Sequence, residues 1–206
     1  DPPVELSPWA TLPLAGYDLR RLSLGEHSGT HVGTPAHLQL RGATVDRLPA
    51  ARLVRPAAVL DFRAAAADPD AALGVAHVAA WEEAHGQVPA DAVFLLCTGW
   101  SARWPDAGAY LNADAAGVLH FPGFGADAVQ FLVEARGVAG LGIDTAGIDP
   151  GRDAALAANR LLLAGRRYHL ENLARLEELP ALGAWIVVGA LPLAGGGAPA
   201  RVLALA

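Results

Sequence analysis

The sequence predicts one α/β domain, for three reasons. Apolar runs of strand length recur at residues 55–62, 91–99 and 137–144, separated by stretches with helical spacing. Those runs show little polar alternation, as strands covered on both faces do. No repeat or linker divides the 206 residues, a length that suits a single full core.

In chain order, residues 1–23 read as an N-terminal arm. Pro2, Pro3, Pro8, Pro13 and Gly16 predict no regular structure over 1–21, where the chain covers a hydrophobic edge of its own subunit or of a neighbour. Trp9 and Tyr17 are available there to line a pocket. Residues 20–24 alternate into a short strand that leads to His27. The run at 55–62 is a buried strand with Asp61 at its polar end. From Val75 to His85 apolar residues return at helical spacing, with Trp81 on the apolar face and Gly86 as the stop. His77 and His85 read as surface residues of that helix.

Cys97 falls inside the second apolar strand, where a buried neutral thiol is expected. Trp100, Trp104, a Gly/Asn/Asp-rich loop and His120-Phe121-Pro122-Gly123 follow it. Loops after strand ends are where α/β folds place groups that touch ligands. Ala128, Val129, Leu132 and Val133 mark an amphipathic helix over 125–137, ended by glycine. In the third strand, Gly140 and Gly142 lack the spacing and the following helix of a dinucleotide fingerprint. Residues 153–164 read as a helix, 166–172 as a strand, and 184–193 and 200–206 as two closing strands.

Composition removes several function classes. A net charge of −6 without a basic run gives nucleic acid or an anionic membrane little to attract. The uncharged run 181–200 contains Pro192 and Gly195-Gly196-Gly197, so it reads as strands broken by a loop and not as a membrane span. The single cysteine rules out an internal disulfide and fits the reducing cytoplasm. Lysine is absent, which excludes a lysine Schiff base, a pyridoxal phosphate anchor and a P-loop. No serine sits in G-x-S-x-G.

The chemistry concentrates in His27-Ser28-Gly29-Thr30-His31-Val32-Gly33-Thr34-Pro35-Ala36-His37, which holds three of the seven histidines. Imidazole titrates near neutral pH and is the commonest transition-metal ligand. The plain alternative is a turn whose histidines cap backbone groups. His27 and His31 can reach one ion, with Glu171 as the distant carboxylate. His169 shares a strand face with Glu171, since side chains two apart point the same way. A surface place beside Arg167 is the other reading for His169.

From Leu24 onward the chain resembles the cyclase family, which includes bacterial kynurenine formamidase and isatin hydrolase. The matching stretches are 27–37, Thr44-Val45-Asp46 with Leu48-Pro49, Thr98-Gly99-Trp100, His120 to Gly123, Gly142 to Gly151, Glu171-Asn172-Leu173 and Leu179-Pro180. The resemblance implies a swivelling β/β/α fold over 24–206 and a homodimer or homotetramer with a neighbouring subunit near the pocket. It also implies hydrolysis of an amide, lactam, lactone or formamide of a small carbonyl-containing metabolite. The family pattern is H-x-G-T-H-x-D-x-P-x-H, with a later histidine twelve residues before a glutamate. By position, the resemblance makes His27 and His31 metal ligands, His37 the acid/base and Glu171 a ligand of a second ion. The bridging aspartate is Gly33 here and the later histidine is Asn159.

Two ions a few ångströms apart need anionic ligands between them, so Gly33 and Asn159 argue against a two-metal site. Three readings remain. One is a one-metal hydrolase (Zn or Mn) using His27, His31, Glu171 and His169, with His37 as acid/base. Another is a metal-free cyclase, lyase or isomerase of a natural-product pathway, in which His27, His31 and His37 are catalytic. The third is a non-catalytic binder. Trp100, Trp104, His120, Phe121 and Asn159 are the expected walls of the substrate pocket.

Overall fold

Alternation along the apolar runs decides which way each strand faces. The computed structural model describes residues 2–206; Asp1, the first residue of the predicted arm, lies outside them. The elements are β1 (Glu5–Ala10), α1 (Leu12–Ala15), β2 (Leu19–Ser23), β3 (His31–Gly33), β4 (Val54–Asp61), β5 (Ala72–Leu73), α2 (Val75–His85) and β6 (Val93–Cys97). They continue with α3 (Ala107–Leu111), β7 (Gly123–Phe124), α4 (Ala126–Glu134), β8 (Gly140–Ile143), α5 (Ala157–Leu163), β9 (Tyr168–Glu171), β10 (Leu182–Ala190) and β11 (Gly197–Leu205).

Seven strands close into a barrel in the order β10-β11-β3-β9-β8-β6-β4. The run β4-β6-β8-β9 is parallel and the remaining pairs are antiparallel, including the β4–β10 pair that closes the ring. Ala57 and Val59 of β4, Val93 and Leu95 of β6, and Tyr168 and Leu170 of β9 fill the interior. Their neighbours Ala58, Leu60, Phe94 and Leu96 face outward and meet Val78 and Trp81 of α2, Val129 and Leu132 of α4 and Leu162 of α5. Each strand is therefore apolar on both faces, which is why the runs lack alternation. Full burial of each large apolar side chain contributes about 1.5–3 kcal/mol. Trp81 also donates Nε1–H to the Val59 carbonyl at 2.9 Å, so its polar atom is satisfied.

The α/β class predicted from the sequence is the one observed. Four local expectations change. The N-terminal arm is regular: β1 and β2 pair with each other alone, outside the barrel. Prolines are tolerated because a two-stranded ribbon is all edge, and the register shifts between Pro8 and Ala10. The helix expected from Asp153 begins at Ala157. The Asp149 carboxylate accepts from the amides of Ala158 and Asn159, so Asp149 caps it and Leu156, at φ 53°, turns the chain into it. The first closing strand starts two residues earlier than expected, at Leu182, and the last starts at Gly197. His169 lies fully buried, not at the surface. His77 and His85 are exposed, as expected. Among the described residues no helix is long and apolar enough to cross a membrane.

Candidate metal centre and its cavity

Strand register assembles the centre. Val32 of β3 and Leu170 of β9 point into the barrel, so the residues beside them point out through its wall. His31 faces Glu171 across the pair, and Gly33 faces His169. His27 arrives from the turn before β3, where Gly29 takes φ 63°. The structure brings His27, His31, His169 and Glu171 together: one ligand-capable atom from each lies within 4.8 Å of all the others.

Hydrogen bonds orient each ring. His31 Nδ1 donates to the Gly29 carbonyl at 2.9 Å, which turns Nε2 toward His27 Nδ1 at 2.9 Å and Glu171 Oε2 at 3.1 Å. The Ile148 amide donates to Glu171 Oε1 at 3.0 Å. His169 Nδ1 lies 2.6 Å from Asn159 Oδ1, and Asn159 Nδ2 donates to Asp149 Oδ2 at 2.8 Å.

Burial holds the His169 imidazole down to about 4, against the pull of Glu171. Burial, followed by His31 and His37, also brings His27 down to about 4. Burial pushes the Glu171 carboxyl up, but the neighbouring His169 and His31 rings and the Ile148 amide outweigh it and leave it at about 2. Near pH 7, His27 and His169 are neutral and Glu171 is ionised. These are the protonation states a metal requires of its ligands.

A cavity of about 300 Å³ opens on the cluster, lined by His27, His31, Glu171, Asn172, Trp104 and Tyr110, with Gly29, Ala107, Leu111 and Ala146. A larger groove of about 510 Å³ beside β11 contains none of the histidines, so size does not mark the chemistry here. Of the predicted walls, Trp104 lines the cavity and Asn159 stands behind His169. Trp100, Phe121 and His120 do not line it. Trp100 and Phe121 are buried beneath Tyr110, and Trp100 Nε1 donates to the Tyr110 carbonyl at 2.7 Å. His120 is turned to Asp70 at 2.8 Å and Asp114 at 3.5 Å.

His37 is exposed and lines a separate, open depression with Gln39 and Arg160. It meets the cluster through His27, at 4.1 Å between ring centroids, and burial lowers its pKa from the ordinary value. Sequence reasoning missed Tyr110, Asn172 and Asp149. Asn172 lay in the Glu171-Asn172-Leu173 stretch that carries the family resemblance. It takes φ 54°, donates to the Gly29 carbonyl at 2.9 Å and accepts from Tyr110 Oη at 2.8 Å. Nothing in the sequence distinguished Tyr110 from any other loop aromatic.

The donor set fits one divalent ion. Three imidazoles and a carboxylate are ligands that zinc accepts in fours. Ligands about 2.0–2.1 Å from a tetrahedral ion lie about 3.3–3.4 Å apart. The His27–His31 and His31–Glu171 contacts, at 2.9 and 3.1 Å, approach that edge. His169 Nε2 is buried without a hydrogen-bond partner, an orphan that coordination would satisfy.

The Cyclase family's sequence profile matches residues 3–150. The chain belongs to the cyclase family. Isatin hydrolase of Roseibium aggregatum is 36% identical over 192 residues, covering 88% of this chain and 72% of that protein. Kynurenine formamidase of Salinibacter ruber is 29% identical over 188 residues, covering 90% and 79%. The structure of isatin hydrolase A from Labrenzia aggregata bound to benzyl benzoate superposes with a TM-score of 0.92 at 35% identity, over 98% of this chain and 82% of that one. Isatin hydrolase and kynurenine formamidase are hydrolases, and this chain is a hydrolase-like enzyme of the family.

Proposed function

We propose that this cyclase-family enzyme hydrolyses a small cyclic amide, lactone or formamide with one divalent metal, zinc or manganese. The observation that carries the reading is the convergence of four ligand atoms within 4.8 Å beside a cavity with aromatic walls. His27, His31, His169 and Glu171 would hold the ion. When bound with a fifth position open to the cavity beyond these four donors, it would supply positive charge that polarises a carbonyl and lowers the pKa of water.

This chain's own residues do the rest. Glu171 stays ionised and is kept in place by the Ile148 amide. Trp104 and Tyr110 offer flat apolar surface to a planar substrate, and Asn172 is locked between Gly29 and Tyr110. His37, neutral near pH 7, takes a proton from the attacking group and returns it to the leaving nitrogen or oxygen, relayed past His27. Asn159 contacts His169 and not the substrate.

The metal-free reading draws on one contact: His27 Nδ1 and His31 Nε2 satisfy each other at 2.9 Å without an ion. The two readings separate in one experiment. Protein purified without chelator is assayed for metal, then for hydrolysis of isatin and formylkynurenine before and after chelation. One stoichiometric ion and chelator-sensitive turnover are expected. Turnover that survives complete metal removal would overturn the one-metal reading, and an unchanged rate in His37→Ala would remove His37 from it.

We also infer that a second copy covers the N-terminal ribbon, in a homodimer or homotetramer. Leu6, Trp9, Leu14 and Tyr17 are all more than half exposed there, large apolar side chains that a second copy would cover. Light scattering is expected to give a dimer or larger. A monomer at 50 μM would refute it. The lone buried Cys97 suits the reducing cytoplasm as the place of action.

A further inference from the structure

Position 33 and position 169 compete for one volume. A methyl group on Gly33 would lie 1.7 Å from His169 Nε2 and 2.5 Å from His169 Cδ2 and Cε1. No side chain at 33 can coexist with this placement of His169. The imidazole of β9 therefore fills the space into which a residue of β3 would project, because the two positions are direct cross-strand partners. At this position the family pattern carries an aspartate and this chain has glycine.

A chain of hydrogen bonds fixes which nitrogen of His169 carries the proton. A carboxylate only accepts, so Asp149 Oδ2 requires the amide NH₂ of Asn159 on its side, at 2.8 Å. Asn159 then presents Oδ1 to His169 Nδ1 at 2.6 Å, and an amide oxygen accepts only, so Nδ1 carries the proton. Nε2 is left with a bare lone pair. It is the same Nε2 that is buried without a partner against Gly33, on a ring grouped with His27, His31 and Glu171, whose shortest contact to Glu171 is from Nδ1 at 3.8 Å. Asp149 is held in turn by the amides of Ala158 and Asn159 at the start of α5, at 2.6 and 3.2 Å.

We propose that His169 takes over the coordination place left by the missing carboxylate at position 33, with Asn159 and Asp149 as positioning residues that hold its Nε2 toward the ion. This rests on the one-metal reading and deepens it. The exchange replaces an anionic oxygen by a neutral nitrogen, so the set becomes three imidazoles and one carboxylate. Imidazole suits zinc, copper and nickel, whereas carboxylate-rich sets suit manganese and magnesium. The site selects zinc over manganese for that reason. Asn159, where the family carries a metal-binding histidine, has become the group that sets a ligand's tautomer, and such partners typically control 10–100-fold in metal affinity.

The test is metal binding to the chelator-stripped full chain, measured by competition with a chromophoric chelator for Zn²⁺ and Mn²⁺ separately. Wild type is expected to bind one Zn²⁺ more tightly than Mn²⁺ by at least about 100-fold. His169→Ala is expected to lose at least about 100-fold in Zn²⁺ affinity, and Asn159→Ala about 10–100-fold. Gly33→Asp alone is expected to weaken Zn²⁺ binding, because the new side chain displaces His169. The double variant Gly33→Asp with His169→Ala is expected to recover binding and to move preference toward Mn²⁺. Circular dichroism of each stripped variant confirms folding. For a variant that does not fold, the ¹⁵N shifts of His169 in stripped wild type give the answer independently, with Nδ1 protonated and Nε2 bare.

Failure takes separable forms. A wild type that binds no divalent ion overturns the one-metal reading and this assignment with it. A wild type that binds Zn²⁺, with a folded His169→Ala variant that binds it equally well, overturns the assignment alone. So does a His169 protonated on Nε2 in the stripped protein.

Discussion

Gly33→Ala isolates the steric relation on which the centre depends, without adding a ligand. The new methyl would lie 1.7 Å from His169 Nε2, far inside contact distance, so the imidazole must swing away. Forcing atoms into a packed site costs about 1–3 kcal/mol. Displacing His169 also leaves the buried Asn159 Oδ1 without its donor, about 1–3 kcal/mol more. Replacing glycine by alanine returns about 0.4–1 kcal/mol through the unfolded chain. The net expectation is a loss of about 3 kcal/mol in the metal-free protein. Urea unfolding in excess chelator reads it as a fall in midpoint of roughly 1–3 M, for slopes of about 1–3 kcal/mol/M. Gly147→Ala is the control. Its methyl would meet Phe121 at 3.6 Å, an ordinary contact, and is expected to change stability by less than about 0.5 kcal/mol. If Gly33→Ala behaves like Gly147→Ala, His169 does not rest against Gly33 in solution and the exchange of positions fails with it.

Acid is expected to destabilise the metal-free protein between pH 6.5 and 4. His27 and His169 have folded values of about 4 against 6.5 unfolded, so the unfolded state binds protons first and stability is lost as pH falls, on the order of 3 kcal/mol for the fully buried His169 and less for His27, which solvent partly screens. Asp149 acts in the opposite sense: burial raises it to about 6, so its contribution is present at low pH, lost as pH rises, and offsets about one histidine. Urea midpoints that stay flat from pH 7 to pH 4.5 would contradict this balance. Thr98→Val removes the hydroxyl that donates to Asp144 and accepts from the Trp100 amide, while the position-98 amide still donates to Asp144, and is expected to cost about 1–3 kcal/mol by the same assay. A loss under about 0.5 kcal/mol would show that Asp144 does not depend on the hydroxyl. Cys97, whose thiol burial and then Asp144 push up to about 12, is expected to resist an aromatic disulfide reagent at pH 8 until urea unfolds the chain. Reaction at the rate of a free thiol in native buffer would refute that burial.

The sequence alone determined the class of the fold and pointed to the four residues of the candidate centre. Apolar runs without alternation require strands covered on both faces, and helices must then supply the outer cover, as α2, α4 and α5 do. The spacing of His27 and His31 placed two imidazoles in one turn, and period-two alternation put His169 and Glu171 on one face whatever the sheet became. Glycine at 33 was visible as a departure from a pattern.

Its consequence was not visible, because it depends on which residue stands opposite. Only the β3–β9 register sets Gly33 against His169, and register follows from long-range pairing that local sequence does not encode. The same holds for Trp100 and Phe121: a loop's aromatic residues divide between wall and support according to how it folds back, and Tyr110 took the place they were expected to fill. Closure of the barrel, the capping of α5 by Asp149 and the tautomer of His169 are likewise tertiary facts. Each arises where residues far apart in the chain must satisfy one another's hydrogen bonds or share one volume, and a linear pattern carries no record of that meeting.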